Sequence, residues 1–400
     1  MNIGLFTETY YPEINGVANS VYMLKHELEN RGHNVYVFTT TTPNAPEYEY
    51  NVFRVPSVPF IFITERRVGL FYQPSLASII KKLNLDIIHT HTEFSLGIFG
   101  RIMARELKLP IVHTYHTIYE DYTHYLTRFK LLDRRAKAFA RIYSKVCCNS
   151  ARRVIVPTEK TKQLLMRYKV HKDISVIPTG IDLRKFDKSN YSNDMIRALK
   201  DKYNIKPDEK VMIYVGRVSQ EKNLEELVNA MPAYMSRRSD LKFVIVGGGP
   251  ALEGLKGLVN RYQLQERFVF TGAQPWDSIG LYYRLGDVFV SASRSETQGL
   301  TYIEAMASGL PVVAREDRCL DDILKQGENG YAFTDEKGLY EGLDQILYLD
   351  KTTDYSANAE NTARQFSAQE YARKVEEVYR QVSGITDPAG QRNGGEMIKI

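Results

Sequence analysis

Residues 296–304 read Glu-Thr-Gln-Gly-Leu-Thr-Tyr-Ile-Glu and run on into AMASGLPVVA. Gly299 permits close backbone approach, and Leu300 and Thr301 open a helix that stops at Gly309 with Pro311 beyond it. The free amides and positive dipole end of such a helix suit a phosphate. Glu304, one turn inside, suits ribose hydroxyls, and Glu296, ahead of the helix, suits the hydroxyls of a sugar. A second segment, Tyr214-Val-Gly-Arg217-Val-Ser-Gln-Glu-Lys222-Asn, ends a strand, turns at Gly216 and enters another helix. A cation such as Lys222 near a helix start is disfavoured by the dipole unless an anion joins it. Arg217 supplies a forked donor and Lys222 a point charge, with no obvious acidic partner, so the pair suits a diphosphate. Third, Asn15-Gly16-Val17 opens the first helix, where Gly16 lets a ligand approach the backbone.

Several histidines stand near strand ends. His113-Thr-Tyr-His116 follows a short apolar strand, with His113 read as structural. His89 and His91 share one strand face, but no carboxylate cluster accompanies them, and no metal site is expected.

The elements that position these residues alternate between short apolar strands and helical stretches, the pattern of a parallel α/β sheet. Strands are expected at Ile3–Thr7, Asn34–Thr39, Ile87–His91, Ile111–Thr114 and Val154–Pro157. A helix fits Val17–Asn30, with Val17, Val21, Leu24 and Leu28 on one face and Gly32 past its end. After a polar stretch near 176–187 the pattern restarts, with strands at Val211–Val215, Leu241–Gly247, Phe268–Thr271, Asp287–Ser291 and Pro311–Ala314. The expectation is two similar domains facing across a cleft, 1–180 and 181–367. A helix over 368–383 would then return to the first domain, and the polar tail 384–400 would be disordered.

Composition bounds the rest. The 400 residues contain 43% hydrophobic and 25% charged side chains, an ordinary globular balance. No apolar run approaches the roughly 18 residues of a membrane span, and the start, MNIGLFTETYYPE, lacks the pattern of a signal peptide. Three cysteines, two of them adjacent, give no disulfide framework and suggest a reducing, cytoplasmic setting. Residues 1–180 carry 24 basic and 15 acidic side chains, and the remainder 29 and 33. The basic half suits a nucleic acid, a phosphorylated ligand or an anionic membrane.

The Glu296/Glu304 pair, the Arg217/Lys222 pair and Gly16, in this order and spacing, resemble those of the retaining glycosyltransferases of family 4, which have the GT-B architecture. The resemblance runs from Met1 to about Val382. It implies two Rossmann-like domains with parallel sheets facing across a cleft, and a metal-independent hexosyltransferase without a resident cofactor. By resemblance, Arg217 and Lys222 neutralise the donor diphosphate and Glu304 binds ribose. Glu296 and the Gln298–Thr301 backbone hold the transferred sugar, including Gly299 and Leu300, and His116 lies beside its reacting face. The strings LFTETYYPEINGVANS, HTYHTIYEDYTHY and SETQGLTYIEAMASG resemble the subgroup that glucosylates diacylglycerol. Many family members have Gly-Phe-Gly where this chain has Thr297-Gln298-Gly299. The resemblance implies UDP-glucose as donor and the 3-hydroxyl of 1,2-diacylglycerol as acceptor. The addition of a second hexose to an already glycosylated diacylglycerol, or a non-lipid acceptor, remains an alternative.

Tyr125, Phe129, Leu132, Ala136, Phe139, Tyr143 and Val146 form one helical stripe, with Lys130, Arg134, Lys137, Arg141 and Lys145 on the opposite face. Together with the apolar-basic run Pro59–Tyr72 this predicts docking on an anionic membrane, at the inner face of the cell membrane. A phosphorylase or epimerase would share the fold, but no lysine context for pyridoxal phosphate is evident. A nucleic-acid binder would leave the paired glutamates and paired cations unexplained.

Overall fold

The computed structural model of the chain describes residues 1–13, 15–43, 45–60, 63–69, 73–120, 130–294 and 296–384. The chain first runs β1 (Asn2–Phe6), α1 (Gly16–Asn30), β2 (Asn34–Thr40), β3 (Val52–Val55), β4 (Ser57–Phe60), β5 (Ile63–Gly69), α2 (Pro74–Lys82), β6 (Ile87–Thr90), α3 (Ser95–Leu107), β7 (Ile111–Thr114), α4 (Lys130–Asn149), β8 (Arg153–Val156), α5 (Glu159–Arg167) and β9 (Ile174–Val176). It continues α6 (Asn193–Lys202), β10 (Lys210–Val215), α7 (Leu224–Met235), β11 (Leu241–Val246), α8 (Leu252–Arg261), β12 (Phe268–Gly272), α9 (Ile279–Tyr283), β13 (Val288–Ser291), α10 (Leu300–Ala307), β14 (Val312–Arg315), β15 (Gly330–Phe333), α11 (Glu336–Asp344), α12 (Tyr355–Ala363) and α13 (Ala368–Ser383).

Two parallel sheets result. One has the order β3-β2-β1-β6-β7-β8-β9, the other β12-β11-β10-β13-β14-β15, and β4 and β5 form a separate antiparallel hairpin. The architecture is two Rossmann-like domains. The central strands β1, β10 and β11 are buried almost end to end, as strands covered by helices on both faces must be. The ten strands expected from the sequence all form, with ends displaced by a residue or so. The edge strands β3, β9 and β15 are only partly buried, so no continuous buried apolar run marks them. Asn15 starts α1 by accepting from the amides of Val17 and Ala18, and Val21, Leu24 and Leu28 face the core.

The chain crosses between domains twice, side by side. The Ile181 amide donates to Phe366 O (2.9 Å) and the Ala368 amide to Ile181 O (3.0 Å). A methyl at Gly180 would come within 2.6 Å of Ser367 O, so the two crossing segments are in direct contact. After the second crossing, α13 packs on the first domain. Tyr371, Ala372, Val375, Val378, Tyr379 and Val382 enter one core with Ile3, Leu5, Val21, Leu24, Leu28 and Val35.

The sequence left open which face of the basic helix turns outward, and the structure divides it. Ser144, Cys147 and Cys148 of α4 are buried, while Phe139, Ile142 and Val146 are 68%, 62% and 60% exposed. The expected apolar stripe therefore splits: Tyr143 turns in and donates to Glu93 O, whereas Phe139 and Val146 face solvent. The small residues bear the packing, because Arg101 of α3 lies against this end of α4 and bonds Ser150 Oγ (2.9 Å) and Cys147 O (3.4 Å). The cationic face is partly paired as well, Lys137 with Asp133 and Arg141 with Glu120. Arg134 and Arg135 are exposed and Lys145 is partly so. Tyr125–Phe129, the side chains of Lys130 and Leu132, residues 385–400 and most of the Pro59–Tyr72 run lie outside the described residues or side chains. No helix among the described residues is long and apolar enough to cross a membrane.

Candidate functional site

The paired motifs meet because β10 and β13 are hydrogen-bonded neighbours, which puts the loops after them side by side. After β13 the chain reaches Glu296 and then Gly299, which stands at the start of α10 with φ +75°. A Cβ there would lie 2.3 Å from the Tyr302 ring, so only glycine fits. No side chain caps α10, and its first amides stay available for an anion. Thr301 lies in this first turn, and its carbonyl accepts from Tyr283 Oη (3.3 Å).

Glu304 is buried inside α10 and accepts from Tyr283 Oη at 2.8 Å. Burial pushes its carboxyl up to about 7, against the opposing effects of the Tyr283 bond and Lys185. Glu296 behaves oppositely. Burial raises it, but the ammonium of Lys222, donating to its Oε1, brings the carboxyl below its ordinary value. Lys222 thus has an acidic partner that the sequence did not disclose. The short turn Gln220–Lys222 precedes α7 and delivers the ammonium across to the loop after β13. Arg217 follows Gly216, which has φ +150°, and its carbonyl accepts from Tyr214 Oη (3.0 Å).

Sequence reasoning missed a third loop at this edge. Gly247-Gly248-Gly249 follows β11, the other neighbour of β10, with φ of +148° at Gly247 and +153° at Gly249. A Cβ at Gly247 would sit 1.8 Å from Gly216 O, and one at Gly249 2.3 Å from Val218 O. The Val218 amide donates to Gly248 O (2.9 Å). Two backbone loops are thus pressed together beside Arg217. Three consecutive glycines after a buried strand were the available signal.

The other domain faces this edge. A methyl at Gly16 would meet Leu300 Cδ1 at 3.4 Å, so the start of α1 lies against the start of α10. His91 and His116 share a hydrogen bond, Nδ1 to Nε2, of 3.0 Å, and burial holds both well below the ordinary imidazole range. Two neutral rings sharing one proton can take part in hydrogen bonding without adding charge. His89 is held by Tyr379 Oη (2.6 Å) and Thr114 Oγ1 (2.7 Å), and His113 by Thr90 and Glu93. Both are buried and fully engaged, and among the described residues no three His, Cys, Asp or Glu form a metal-holding group. Sequence reasoning also missed Glu8, which is buried after β1. Its Oε1 accepts from the amide of Leu96 and from Ser95 Oγ at the start of α3.

Arg217, Lys222, Glu296, Gly299, Leu300, Thr301 and Glu304 therefore lie along one sheet edge, opposed by Gly16. Gln298 sits among them, but its side chain points elsewhere. Its Oε1 accepts from the Thr179 amide (2.8 Å) and its Nε2 donates to Thr179 O (2.9 Å), at the first domain crossing. Only its main chain is left for a ligand.

The chain is similar to known proteins. Residues 14–185 match the family described as Glycosyltransferase Family 4, and residues 195–366 match Glycosyl transferases group 1. The chain is 38% identical over 380 residues to an alpha-monoglucosyldiacylglycerol synthase of Streptococcus pneumoniae, covering 95% of this chain and 85% of that one. It is 37% identical over 388 residues to the enzyme of the same name from Acholeplasma laidlawii, covering 95% and 96%. Among solved structures, HepE of Anabaena in complex with UDP and glucose superposes with a TM-score of 0.74 at 18% identity, over 95% of this chain and all of that one.

Proposed function

The chain belongs to glycosyltransferase family 4, and from that premise we propose that it transfers glucose from UDP-glucose to the 3-hydroxyl of 1,2-diacylglycerol, with retention, giving α-monoglucosyldiacylglycerol. The observation that carries this reading is the identity of 37–38% to two synthases of that name over 95% of the chain. The site geometry supports it. In such a transfer the bond between the anomeric carbon and the diphosphate breaks, and negative charge grows on the leaving oxygen. Arg217, Lys222 and the amides of α10 are preorganised for that charge, usually the largest catalytic contribution. Glu304 holds the ribose, Glu296 the hydroxyls of the glucose, and the neutral His91/His116 pair lies on the acceptor side. In this reading the departing phosphate oxygen takes the proton of the acceptor hydroxyl as it attacks from the same face, without a metal ion.

The acceptor lies in a bilayer, and α4 offers a way to reach it. Phe139, Ile142 and Val146 point outward beside exposed Arg134 and Arg135. This combination of apolar and basic groups lies in the headgroup layer of an anionic membrane. The protein then works as a peripheral enzyme on the membrane face.

Purified protein incubated with UDP-[14C]glucose or UDP-[14C]galactose and diacylglycerol in anionic micelles tests the reading. The expected result is one labelled lipid from the glucosyl donor, with an α anomeric proton by NMR and unchanged yield in EDTA. A β-linked product, label only from the galactosyl donor, or transfer only to a lipid that already carries sugar would overturn it.

A further inference from the structure

The loop that holds Glu296 is gripped from the opposite domain by groups outside every motif above. Helix α5 belongs to the N-terminal domain, and its first turn reaches over the cleft. Lys160 Nζ donates to both oxygens of Asp317 (2.7 Å each) and to the backbone carbonyl of Glu296 (3.0 Å). Thr158 Oγ1, at the start of the same helix, donates to the carbonyl of Thr297 (2.8 Å).

Local helix energetics do not explain this lysine, because a cation in the first turn opposes the dipole. What compensates it is in the other domain. Asp317 has a side chain only 7% exposed, and it also accepts from the Cys319 amide (2.8 Å). Moving the domains apart would take the Lys160 ammonium away from that carboxylate. Bonds to the carbonyls of residues 296 and 297 fix the path of the main chain rather than any side chain. The Glu296 side chain is meanwhile held by Lys222 of its own domain. Glu296 is thus fixed by its side chain from one domain and by its backbone from the other.

We propose that Lys160, assisted by Thr158 and anchored by Asp317, is a positioning residue that sets the Glu296 loop for transfer only when the two domains are closed. This rests on the reading of Glu296 as the group that holds the donor sugar. It adds that the N-terminal domain takes part in building the donor-sugar site of its partner domain. The nucleotide end, at Arg217, Lys222 and Glu304, receives none of these four bonds.

Three measurements test it on the full-length protein, for wild type and for Lys160→Met, Lys160→Arg and Asp317→Asn. Lys160→Met and Asp317→Asn are expected to lower kcat at least tenfold while the Kd for UDP, by calorimetry, stays within twofold of wild type. Lys160→Arg, which keeps the charge and offers several N–H donors, should recover much of the loss. Small-angle scattering of the unliganded variants should show a larger radius of gyration for Lys160→Met than for wild type. Wild-type kcat in both loss variants, parallel loss of UDP affinity and kcat, or unchanged scattering with no rescue by arginine would overturn the proposal. If the variants open but the wild type transfers no sugar from UDP-glucose, the proposed function fails while the latch between the domains stands.

Discussion

Glu296 and Glu304 carry the same side chain, yet their surroundings shift the two carboxyl groups in opposite directions. Glu304 has Tyr283 as a neutral hydrogen-bond partner, so burial dominates and its carboxyl rises to about 7. Donor binding that uses its carboxylate should therefore weaken as pH falls through about 7. Titrations of UDP-glucose at pH 8 and pH 6 should differ by up to about tenfold in Kd, and Glu304→Gln should bind weakly at both. A wild-type Kd independent of pH would contradict the role. Glu296 is instead held ionised by Lys222, so the two charges of the resting site neutralise each other until a diphosphate arrives. Changing Arg217 or Lys222 to Ala should lower kcat/KM by roughly two decades, as loss of charge stabilisation in the transition state does. Steady-state kinetics decides this, and near wild-type values in both would remove the assignment. The sequence made these side chains legible because their types and spacing are unusual. It did not reveal the Lys222–Glu296 bond or the turn of Gln298 toward Thr179, since both partners in each case come from loops after different strands.

At the scale of an element, α4 shows what periodicity can and cannot tell. Its amphipathic character was readable, but the choice of core face was not. The residues that pack are small, Ser144, Cys147 and Cys148, while larger apolar ones face solvent. The stripe of large hydrophobic side chains therefore does not mark a single face, since Tyr143 turns in while Phe139 and Val146 turn out. The outward face has a consequence for binding. Fully burying a side chain such as Phe or Ile contributes about 1.5–3 kcal/mol, and each basic residue near an anionic leaflet about 1 kcal/mol. Phe139, Ile142 and Val146 changed together to Ser should reduce cosedimentation with anionic vesicles at least tenfold. Arg134 and Arg135 changed to Gln should reduce it less and mainly at low salt. A folded triple variant that sediments like wild type would make α4 a purely structural element. The ten expected strands were legible because continuous apolar runs mark buried parallel strands. The edge strands β3, β9 and β15 were not, because they are only partly buried and carry no continuous apolar run.

Across the whole molecule, the restart of the βαβ pattern marked two domains, but nothing in the sequence showed how they face each other. Their relation is fixed by contacts distant in the chain, such as Gly16 against Leu300 and Lys160 against Asp317. The C-terminal helix ties the arrangement down. Tyr379 of α13 bonds the buried His89 at 2.6 Å. Tyr379→Phe would leave His89 Nδ1 without that partner, at a cost of about 1–3 kcal/mol. Denaturant unfolding should show that loss in the N-terminal domain, and an unchanged midpoint would argue that the histidine finds another partner.

The position of α13 also bears on how the protein is made. Synthesis proceeds from the N-terminal side, yet the core around Ile3, Val21 and Leu28 is completed by residues 371–382. At about 5–20 residues per second, roughly 10–40 s separate the end of the first domain from the arrival of that helix. During this interval the nascent chain presents an unfinished apolar face where Tyr371, Val375 and Tyr379 will later sit. Nascent chains stalled before residue 368 should have a protease-sensitive N-terminal half, and chains whose residue 383 has cleared the ribosome should resist. Equal resistance in both would mean that the first domain folds without its last helix. The need to shield that face belongs to translation and ends once α13 has docked.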